Sequence, residues 1–335
     1  MIEISAEIGS VHDGSFGNAC KLIEAVAECG ASQVKFQHHI AEAESLPNAP
    51  APRYFQEEPR MSYFKRIAFD AGQWGDLIRL ARDCSLKFVC SPFSIESAEL
   101  LEKLGIDVFK IASGEVTNLP LLERVAAFGK PVYLSSGMSS WEELDEAVDA
   151  MKWKTELSLM QCSSLYPCPP EKVGLNVMQE MRQRYGLPVG YSDHTIGLAA
   201  PLAAAAQGAS LIEKHFTFAR RMYGSDARHS MEPEEFKQMC ASIREIEVVL
   251  NSPVNKDTHE EYREMKVIFQ KSIVAAVDIQ PGEVIEMSHL AFKKPGDGIS
   301  AAEYRSLIGK RAVCPIVANQ KMKREDVKSE KFVSS

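Results

Sequence analysis

Two histidines, His194 and His215, each follow a run of residues that predicts a β-strand. The two runs span residues 187–191 and 210–213, and the apolar segment between them, residues 196–207, predicts a helix. One strand–helix–strand unit would carry both imidazoles to the same edge of a parallel sheet, where neighbouring strands lie about 4.8 Å apart. Either histidine alone would as readily be a structural residue, but together they predict a site for a hard-to-borderline divalent metal.

Polar side chains also lie where the other predicted strands end. They are Glu7, Lys35, Gln37, Ser91, Lys110, Ser113, Glu115, Ser135, Ser136, Ser163, Ser164, Tyr166, Ser192, Asp193 and Lys214. Fixed hydroxyl donors with nearby lysines replace the hydration of an anion, so this set predicts a pocket for a phosphorylated substrate. The competing interpretations are structural, with a salt-bridged Lys214 and with Glu7 and Glu115 as buried partners of the lysines.

The elements that would position these side chains alternate regularly along the chain. Strand-like runs begin near residues 2, 33, 87, 108, 132, 157, 187 and 210, and a helical pattern follows each of them. Only the segment 38–72 is predicted to be irregular before its helix begins. Eight such repeats predict a (β/α)₈ TIM barrel over residues 1–250, an α/β fold. A doubly wound sheet would need a glycine-rich phosphate loop after its first strand, and residues 7–10 supply none.

The pattern changes after the predicted barrel. Residues 251–270 are polar and charged and are interpreted as a linker. Short strand-like runs with turn signals such as Pro281-Gly282 follow, which predicts a small β-rich domain over residues 271–335. A domain of this size is near the lower limit for independent stability, so it is expected to lean on another surface.

Composition excludes several classes of partner. The chain has 335 residues with 38 Lys and Arg against 46 Asp and Glu, a formal charge of −8 without basic clusters, so nucleic acid is not an expected partner. No apolar run approaches the roughly 18 residues of a membrane helix, and no basic segment precedes the first strand. Eight cysteines occur without a C-x-x-C pair. This usage predicts a cytoplasmic protein in a reducing compartment.

The order of the motifs along the chain resembles the sialic acid synthase family, whose members make N-acetylneuraminate, legionaminate or pseudaminate. The segments that carry the resemblance span nearly the whole chain. They are Ala6-Glu7-Ile8-Gly9, His12-Asp13-Gly14-Ser15, Val34-Lys35-Phe36-Gln37, Ser91-Pro92-Phe93, Phe109-Lys110-Ile111-Ala112-Ser113-Gly114-Glu115, Leu134-Ser135-Ser136-Gly137-Met138, Tyr166-Pro167, Tyr191-Ser192-Asp193-His194-Thr195 and Glu213-Lys214-His215-Phe216-Thr217. The small C-terminal domain resembles the SAF (antifreeze-like, β-clip) domain that this family appends to its barrel.

The resemblance implies a reaction. Phosphoenolpyruvate would condense with the open-chain form of an N-acylated mannose-type sugar to give a nine-carbon 2-keto-3-deoxy acid and phosphate by C–O cleavage. It implies a divalent metal, Mn²⁺ with Mg²⁺ or Co²⁺ as alternatives, held by His194 and His215 so that it polarises the aldehyde. Glu115 would be the acid/base carboxylate. The residues that would contact phosphoenolpyruvate are Lys35, Ser91, Lys110, Ser113, Ser135 and Ser192, and Glu7, Gln37, Tyr166 and Asp226 would orient the sugar.

Departures from the family pattern leave the acceptor sugar open. Ser164 stands where Asn is common, and Ser91 stands where Thr is usual. Lys294 replaces an Arg that, in the family, reaches into the partner subunit's barrel and recognises the N-acyl group, and a point charge does not reproduce a guanidinium fork. The loop 222–229 also differs. The candidates are N-acetylmannosamine, a 2,4-diacetamido-2,4,6-trideoxymannose, the corresponding altrose and an unacylated mannose.

Two other functions compete with this interpretation. A metal-independent Schiff-base aldolase would use Lys110 or Lys214 as its amine. A sugar-binding or scaffold protein would bind without releasing phosphate, and it would leave the polar strand ends unexplained. The resemblance further implies a domain-swapped homodimer, in which the SAF domain of one subunit caps the barrel of the other.

Overall fold

The computed structural model describes residues 1–50, 57–258 and 260–328. The chain divides into two compact units, Met1–Pro253 and Val254–Ser335. The segment predicted as a linker, residues 251–270, contains a helix at Arg263–Phe269. His259 of that linker and residues 329–335 of the predicted small domain lie outside the described residues.

Eight parallel strands close into a barrel in the order in which they occur along the chain, which confirms the predicted fold. The strands are β1 (Glu3–Gly9), β2 (Gln33–His38), β3 (Lys87–Pro92), β4 (Val108–Ile111), β5 (Val132–Ser135), β6 (Leu157–Cys162), β7 (Val189–Asp193) and β8 (Leu211–His215). The first and last strands pair in register, with Glu7 opposite His215. Both β7 and β8 extend two residues beyond their predicted ends, so that Ser192 and His215 belong to the barrel wall itself.

Helices surround the barrel and continue into the second unit. They are α1 (Phe16–Glu28), α2 (Ala41–Glu44), α3 (Arg60–Ile67), α4 (Ala71–Asp83), α5 (Ile95–Lys103), α6 (Leu119–Ala126), α7 (Trp141–Met151), α8 (Asn176–Tyr185), α9 (Ala199–Ala206), α10 (Pro233–Asn251) and α11 (Arg263–Phe269). Several start at capping residues visible in the sequence. Asp70 and Gln73 form a capping box at α4, and Ser140 and Glu143 form another at α7.

The prediction that residues 38–72 are irregular is wrong over two segments, because α2 and α3 form there. Helix α3 has a charged composition, and only Tyr63 and Ile67 are buried along it. These two residues are one helical turn apart, so they give α3 a narrow apolar stripe. Such a stripe is too weak in a single sequence to distinguish a helix from a polar loop.

The barrel interior is polar at one end and apolar in the middle. Side chains alternate between the inside and the helix-facing side of each strand. An inward-facing apolar cluster consists of Val89, Val108, Tyr133, Met160 and Leu211. The cluster lies two residues nearer the amino ends of the strands than the inward-facing polar side chains, and it closes the barrel beneath them. The polar groups therefore meet at the carboxyl ends of the strands, where barrel enzymes carry their active sites.

Two buried histidines in the barrel unit predict loss of stability in acid. Burial lowers the pKa of both His12 and His38 to about 4, and Nδ1 of His12 accepts a hydrogen bond from the Gly14 amide at 3.1 Å, which requires the neutral ring. Because the pKa of unfolded histidine is about 6.5, the unfolded chain gains protons first as the pH falls below that value. The free energy of unfolding should then decrease by roughly 3 kcal/mol per histidine by pH 4.

Urea unfolding at pH 7.5 and pH 4.5 measures this effect. The difference between the two pH values should shrink in a His38→Gln variant, which cannot take up that proton. A difference as large in the variant as in the wild type would show that His38 has no part in the acid sensitivity.

The second unit contains short antiparallel strand pairs, which fits the predicted β-rich domain. Strands β9 (Ser272–Ala275) and β10 (Leu290–Lys293) form one pair, and β11 (Arg311–Ala312) and β12 (Val327–Lys328) form the other. Its own core includes Ile273, Ile279, Ile285, Leu307 and Ile316. None of the helices in the described part of the chain is long and apolar enough to span a bilayer.

Candidate active site

A cluster of ionisable side chains forms the floor of the candidate site. Nζ of Lys110 lies 2.8 and 2.9 Å from the two carboxylate oxygens of Glu213. Lys35 donates to Glu7 and lies 3.7 Å from Glu213. These four residues come from β1, β2, β4 and β8, and each is at most 5 % exposed. The barrel thus brings together groups that are more than 200 residues apart in the sequence.

The charges of this floor cancel. Burial alone would raise the pKa of Glu213, but the ammonium groups of Lys110 and Lys35 overcome that effect and hold its pKa well below the usual range. Burial lowers the pKa of Lys110 despite the same carboxylate. Burial also raises the pKa of Glu7 despite its ion pair with Lys35. In their charged forms, two lysines face two carboxylates. An incoming phosphorylated carboxylate therefore meets lysines that are fixed in position but already paired.

Hydroxyl groups surround the charged floor. A cavity of about 60 Å³ is lined by Ser91, Ser113, Ser135 and Ser192, together with Lys35 and Lys110. Ser192 donates to Glu213 at 3.0 Å, whereas Oγ of Ser91 is buried without a hydrogen-bond partner among the described residues. A buried hydroxyl without a partner costs free energy, so Ser91 is a donor that a ligand would satisfy.

His194 and His215 lie side by side above the floor, with ring centroids 5.5 Å apart. Nδ1 of His194 lies 2.7 Å from the carbonyl oxygen of Ser163, which requires a proton on that nitrogen and leaves Nε2 as the electron-pair donor. Nε2 faces the Tyr166 hydroxyl at 3.1 Å. Burial lowers the pKa of His215 to about 3, so this ring is neutral at pH 7. Its Nδ1 is buried without a hydrogen-bond partner in the described chain.

This donor set fits a divalent cation. Metals take the neutral imidazole, and a backbone carbonyl on the other nitrogen is the usual second contact of a ligating histidine. The described residues contain no group of three or more His, Cys, Asp or Glu side chains arranged for a metal. A cation bound here would depend on the two histidines and on oxygens from water or substrate, which suits a hard-to-borderline ion.

A wider cavity of about 400 Å³ forms the mouth of the site. It shares Gln37, Ser113, Tyr166 and His215 with the floor, and Ser164 and Asp226 line it further out. Asp226 accepts from the Ser10 amide at 2.9 Å and from the Ser225 hydroxyl at 3.1 Å. A Cβ added at Gly9, whose φ is +51°, would collide with the Asp226 carboxylate. Glycine at this turn is therefore what lets Asp226 approach the end of β1.

Glu115 follows β4 in a short 3₁₀ turn, Ser113–Glu115. It is absent from the residues that line the floor and the mouth, although its neighbours Ser113 and Gly114 line the mouth. Asn118 donates to its carboxylate at 2.8 Å. Burial raises the pKa of Glu115 despite this hydrogen bond, so the carboxyl group holds a proton at higher pH than an exposed glutamate.

Two of the lysines singled out from the sequence do not belong to the floor of the site. Lys214 points to the helix side of β8, where it is buried and paired with Asp193. The contacts of Lys214 therefore support its interpretation as a structural, salt-bridged residue. Lys294 belongs to the second unit, where its ammonium group lies 4.7 Å from the centre of the Phe269 ring. The other predicted site residues, apart from Glu115, Ser136, Ser163 and Asp193, line the floor or the mouth.

Several residues of the site were missing from the sequence-based set, among them Glu213, His39 and Arg60. Glu213 was detectable, because it lies two positions before His215 and so faces the same side of β8. His39 and Arg60 line the mouth, but they lie in the segment predicted to be irregular, where no periodicity indicated their orientation.

Another cavity lies at the opposite end of the barrel. Its volume is about 660 Å³. Its lining contains ion pairs that satisfy one another, Glu3 with Lys87 and Arg82 with Asp107, each at 2.7 Å. Barrel enzymes carry their chemistry at the carboxyl ends of the strands. We therefore assign the candidate active site to the floor and mouth described above.

Comparison with sequence profiles and known proteins gives matches over most of the chain. Residues 22–255 match the sequence profile of the NeuB family, and residues 270–327 match that of the SAF domain. The chain is 38 % identical to N,N'-diacetyllegionaminic acid synthase of Campylobacter jejuni, over 92 % of this chain and 95 % of that protein. It is 31 % identical to human N-acetylneuraminate-9-phosphate synthase, over 93 % of this chain and 89 % of that protein.

A solved structure shares the architecture. The crystal structure of N-acetylneuraminic acid (sialic acid) synthetase from Leptospira borgpetersenii serovar Hardjo-bovis superposes with a TM-score of 0.70 at 30 % identity. The match covers 79 % of this chain and 90 % of that one. The similarity therefore includes most of the barrel that carries the candidate site.

Proposed function

Because the chain belongs to the NeuB family, we propose that it condenses phosphoenolpyruvate with an open-chain N-acylated mannose-type sugar. The products are a nonulosonic acid and phosphate. One observation carries the proposal: two histidines whose ring centroids lie 5.5 Å apart line the same small cavity as two buried lysines and four serines. An aldehyde oxygen and a phosphorylated carboxylate need these two kinds of environment next to each other.

The proposed steps balance as follows. C3 of phosphoenolpyruvate attacks the aldehyde carbon, whose oxygen takes up a proton and becomes a hydroxyl group. Water adds at C2, the bond between C2 and the bridging oxygen breaks, and phosphate leaves as C2 becomes a ketone. A divalent cation bound by His194 and His215 would supply positive charge and polarise the aldehyde oxygen.

The protein groups have separate roles in these steps. Lys35 and Lys110 hold the carboxylate and phosphate of phosphoenolpyruvate, and Ser91, Ser113, Ser135 and Ser192 donate to their oxygens. Tyr166, Gln37 and Asp226 orient the sugar in the mouth. Glu115, with a pKa raised by burial, exchanges protons at the rim. The floor is closed below by the apolar barrel interior, which limits water to what enters through the mouth.

The acceptor that we propose is a 2,4-diacetamido-2,4,6-trideoxymannose. The support is the 38 % identity to a protein named N,N'-diacetyllegionaminic acid synthase and the aromatic side chains Phe64 and Phe93 in the mouth. A deoxy methyl group and an acyl methyl group suit such a surface better than a chain of hydroxyls does.

Phosphate release tests the proposal. The protein is incubated with phosphoenolpyruvate, Mn²⁺ and each of four aldehydes: the diacetamido sugar, its altrose isomer, N-acetylmannosamine and mannose. We expect release of phosphate and a product whose mass equals that of the two substrates plus water minus phosphoric acid. The diacetamido sugar should react fastest. A Schiff-base aldolase would instead be trapped by borohydride with its substrate, and a binding protein would release no phosphate with any of them.

We also propose that the chain works as a homodimer in which each SAF unit serves the partner's barrel. The second unit exposes several apolar side chains of α11, namely Met265, Val267, Ile268 and Phe269. An exposed apolar surface of this kind is typical of an interaction site. Light scattering that finds a monomer at the concentrations of the activity assay would contradict this assembly.

A further inference from the structure

Arg60 is a cation in the mouth whose donors are only partly used. It begins α3, and its side chain is 30 % exposed. Nε donates to the Ser45 hydroxyl at 3.0 Å, and Nη2 donates to Glu44 at 3.3 Å. Within the described chain, Nη1 has no hydrogen-bond partner, and the guanidinium carbon lies 4.9 Å from the centre of the Phe64 ring. The residue therefore presents free N–H groups to the cavity that it lines.

The partner that fixes Arg60 is itself held rigidly. The side chain of Glu44 is only 3 % exposed, and Nδ1 of His39 lies 2.8 and 3.0 Å from its two oxygens. The His39 ring is stacked between Phe64 and Phe93, with centroid distances of 3.8 and 4.3 Å and nearly parallel planes. A side chain stacked on both faces and bonded at its edge has little freedom to move.

Hydrogen bonds continue from this stack to the floor of the site. Nε2 of His39 lies 3.2 Å from the side-chain oxygen of Gln37. Gln37 donates to Glu7 at 2.6 Å, and Glu7 accepts from Lys35. Arg60 is thus connected through partly buried groups to a lysine of the floor. This network fixes the position of the guanidinium relative to the site where the aldehyde must react.

The chemistry around Arg60 defines what it would bind. Its free N–H groups need an oxygen acceptor. A neighbouring carboxylate already occupies one edge of the guanidinium and balances its charge, so a neutral oxygen is a sufficient acceptor. Phe64, Phe93 and Met138 add apolar surface in the same cavity. An acylamido group combines these features, since it has a strong carbonyl acceptor with an apolar methyl beside it.

We propose that Arg60 is a specificity-determining residue that donates to the carbonyl of a second acylamido group, the one at C4 of the acceptor sugar. The inference rests on the proposed function. The aldehyde at C1 reacts near the histidines of the floor, so C4 and its substituent lie toward the mouth. The guanidinium of Arg60, which belongs to the barrel unit, then recognises the C4 acylamido group that distinguishes a diacetamido sugar from N-acetylmannosamine.

The test compares two acceptors in matched variants. The full-length protein is assayed with phosphoenolpyruvate and either the 2,4-diacetamido sugar or N-acetylmannosamine, as wild type, Arg60→Gln and Arg60→Lys. In Arg60→Gln, kcat/KM for the diacetamido sugar should fall about 10- to 100-fold, the range for losing a charged donor. The value for N-acetylmannosamine and the KM for phosphoenolpyruvate should stay within about 3-fold, which corresponds to less than one such bond.

Arg124 provides a matched control. It donates to Glu99 at 2.8 and 3.1 Å and lies 4.9 Å from the centre of the Phe128 ring, the same combination of an ion pair and a ring contact on a different helix. Arg124→Gln should leave both acceptors unchanged. Arg60→Lys keeps the charge without the fork and should lose part of the preference, so it serves as the folded variant if Arg60→Gln does not fold.

The outcomes separate the inference from the proposed function. Equal losses on both acceptors, or an unchanged ratio between them in the folded Arg60 variants, would overturn the role of Arg60 while leaving the condensation intact. Absence of phosphate release by the wild type with either acceptor would overturn the proposed function and this inference with it.

Discussion

Replacing His194 or His215 with Ala is expected to lower turnover by about 10³-fold, because Lewis-acid polarisation of a carbonyl is worth several kcal/mol. Each variant should also lose Mn²⁺ binding in a calorimetric titration, since the described chain offers no third His, Cys, Asp or Glu to complete a site. The loss of binding does not depend on turnover, so it separates a ligand from a residue that acts in another way.

The control for this experiment is His289→Ala. His289 belongs to the second unit, where its Nδ1 accepts from the Glu286 amide at 3.1 Å, and its removal should change neither turnover nor binding. Thermal unfolding of the three variants shows whether any loss reflects folding. Undiminished turnover in excess chelator, or Mn²⁺ bound normally by both barrel variants, would refute the metal site.

Glu213→Gln is expected to have the largest effect on stability. The substitution leaves Lys110 buried without an anion, and breaking a buried ion pair in this way costs about 3–5 kcal/mol. Lys110 is 2 % exposed and already has a pKa lowered by burial, so without Glu213 it should lose its proton and its attraction for phosphoenolpyruvate. The measurements are urea unfolding and the KM for phosphoenolpyruvate.

Two further variants make this prediction specific. Glu213→Gln combined with Lys110→Met removes both charges and should recover much of the stability but none of the activity. Glu3→Gln breaks the exposed Glu3–Lys87 pair at the other end of the barrel and should cost less than about 1 kcal/mol. Equal destabilisation by Glu3→Gln and Glu213→Gln would mean that burial of the Glu213 cluster has little energetic consequence.

The barrel was predictable because its signal is repeated. Eight apolar strand runs alternate with helical patterns, so an error at one boundary does not change the topology. The ends of β7 and β8 were predicted two residues too early because Ser192, Asp193, Lys214 and His215 are polar. These residues stay in the strands since parallel pairing with their neighbours continues, and a single sequence does not reveal that pairing.

Site residues could be predicted from the sequence where charged or reactive side chains stand at the ends of predicted strands, and not elsewhere. Lys35, Lys110 and the two histidines stand out because charged groups rarely occur in buried strands. Arg60 and His39 do not, since their positions depend on a stack with Phe64 and Phe93 that joins α3 to the ends of β2 and β3. Contacts of this kind are set by tertiary packing, which overrides local pattern.

The fate of the bridging oxygen of phosphoenolpyruvate tests the proposed reaction most directly. The substrate is labelled with ¹⁸O between C2 and phosphorus and incubated with the protein, Mn²⁺ and the diacetamido aldehyde, and the phosphate is analysed by mass. Water addition at C2 with C–O cleavage predicts that the label appears in phosphate, only when the aldehyde is present, and in amounts equal to the keto acid formed. Unlabelled phosphate, or labelled phosphate formed without the aldehyde, would contradict the condensation.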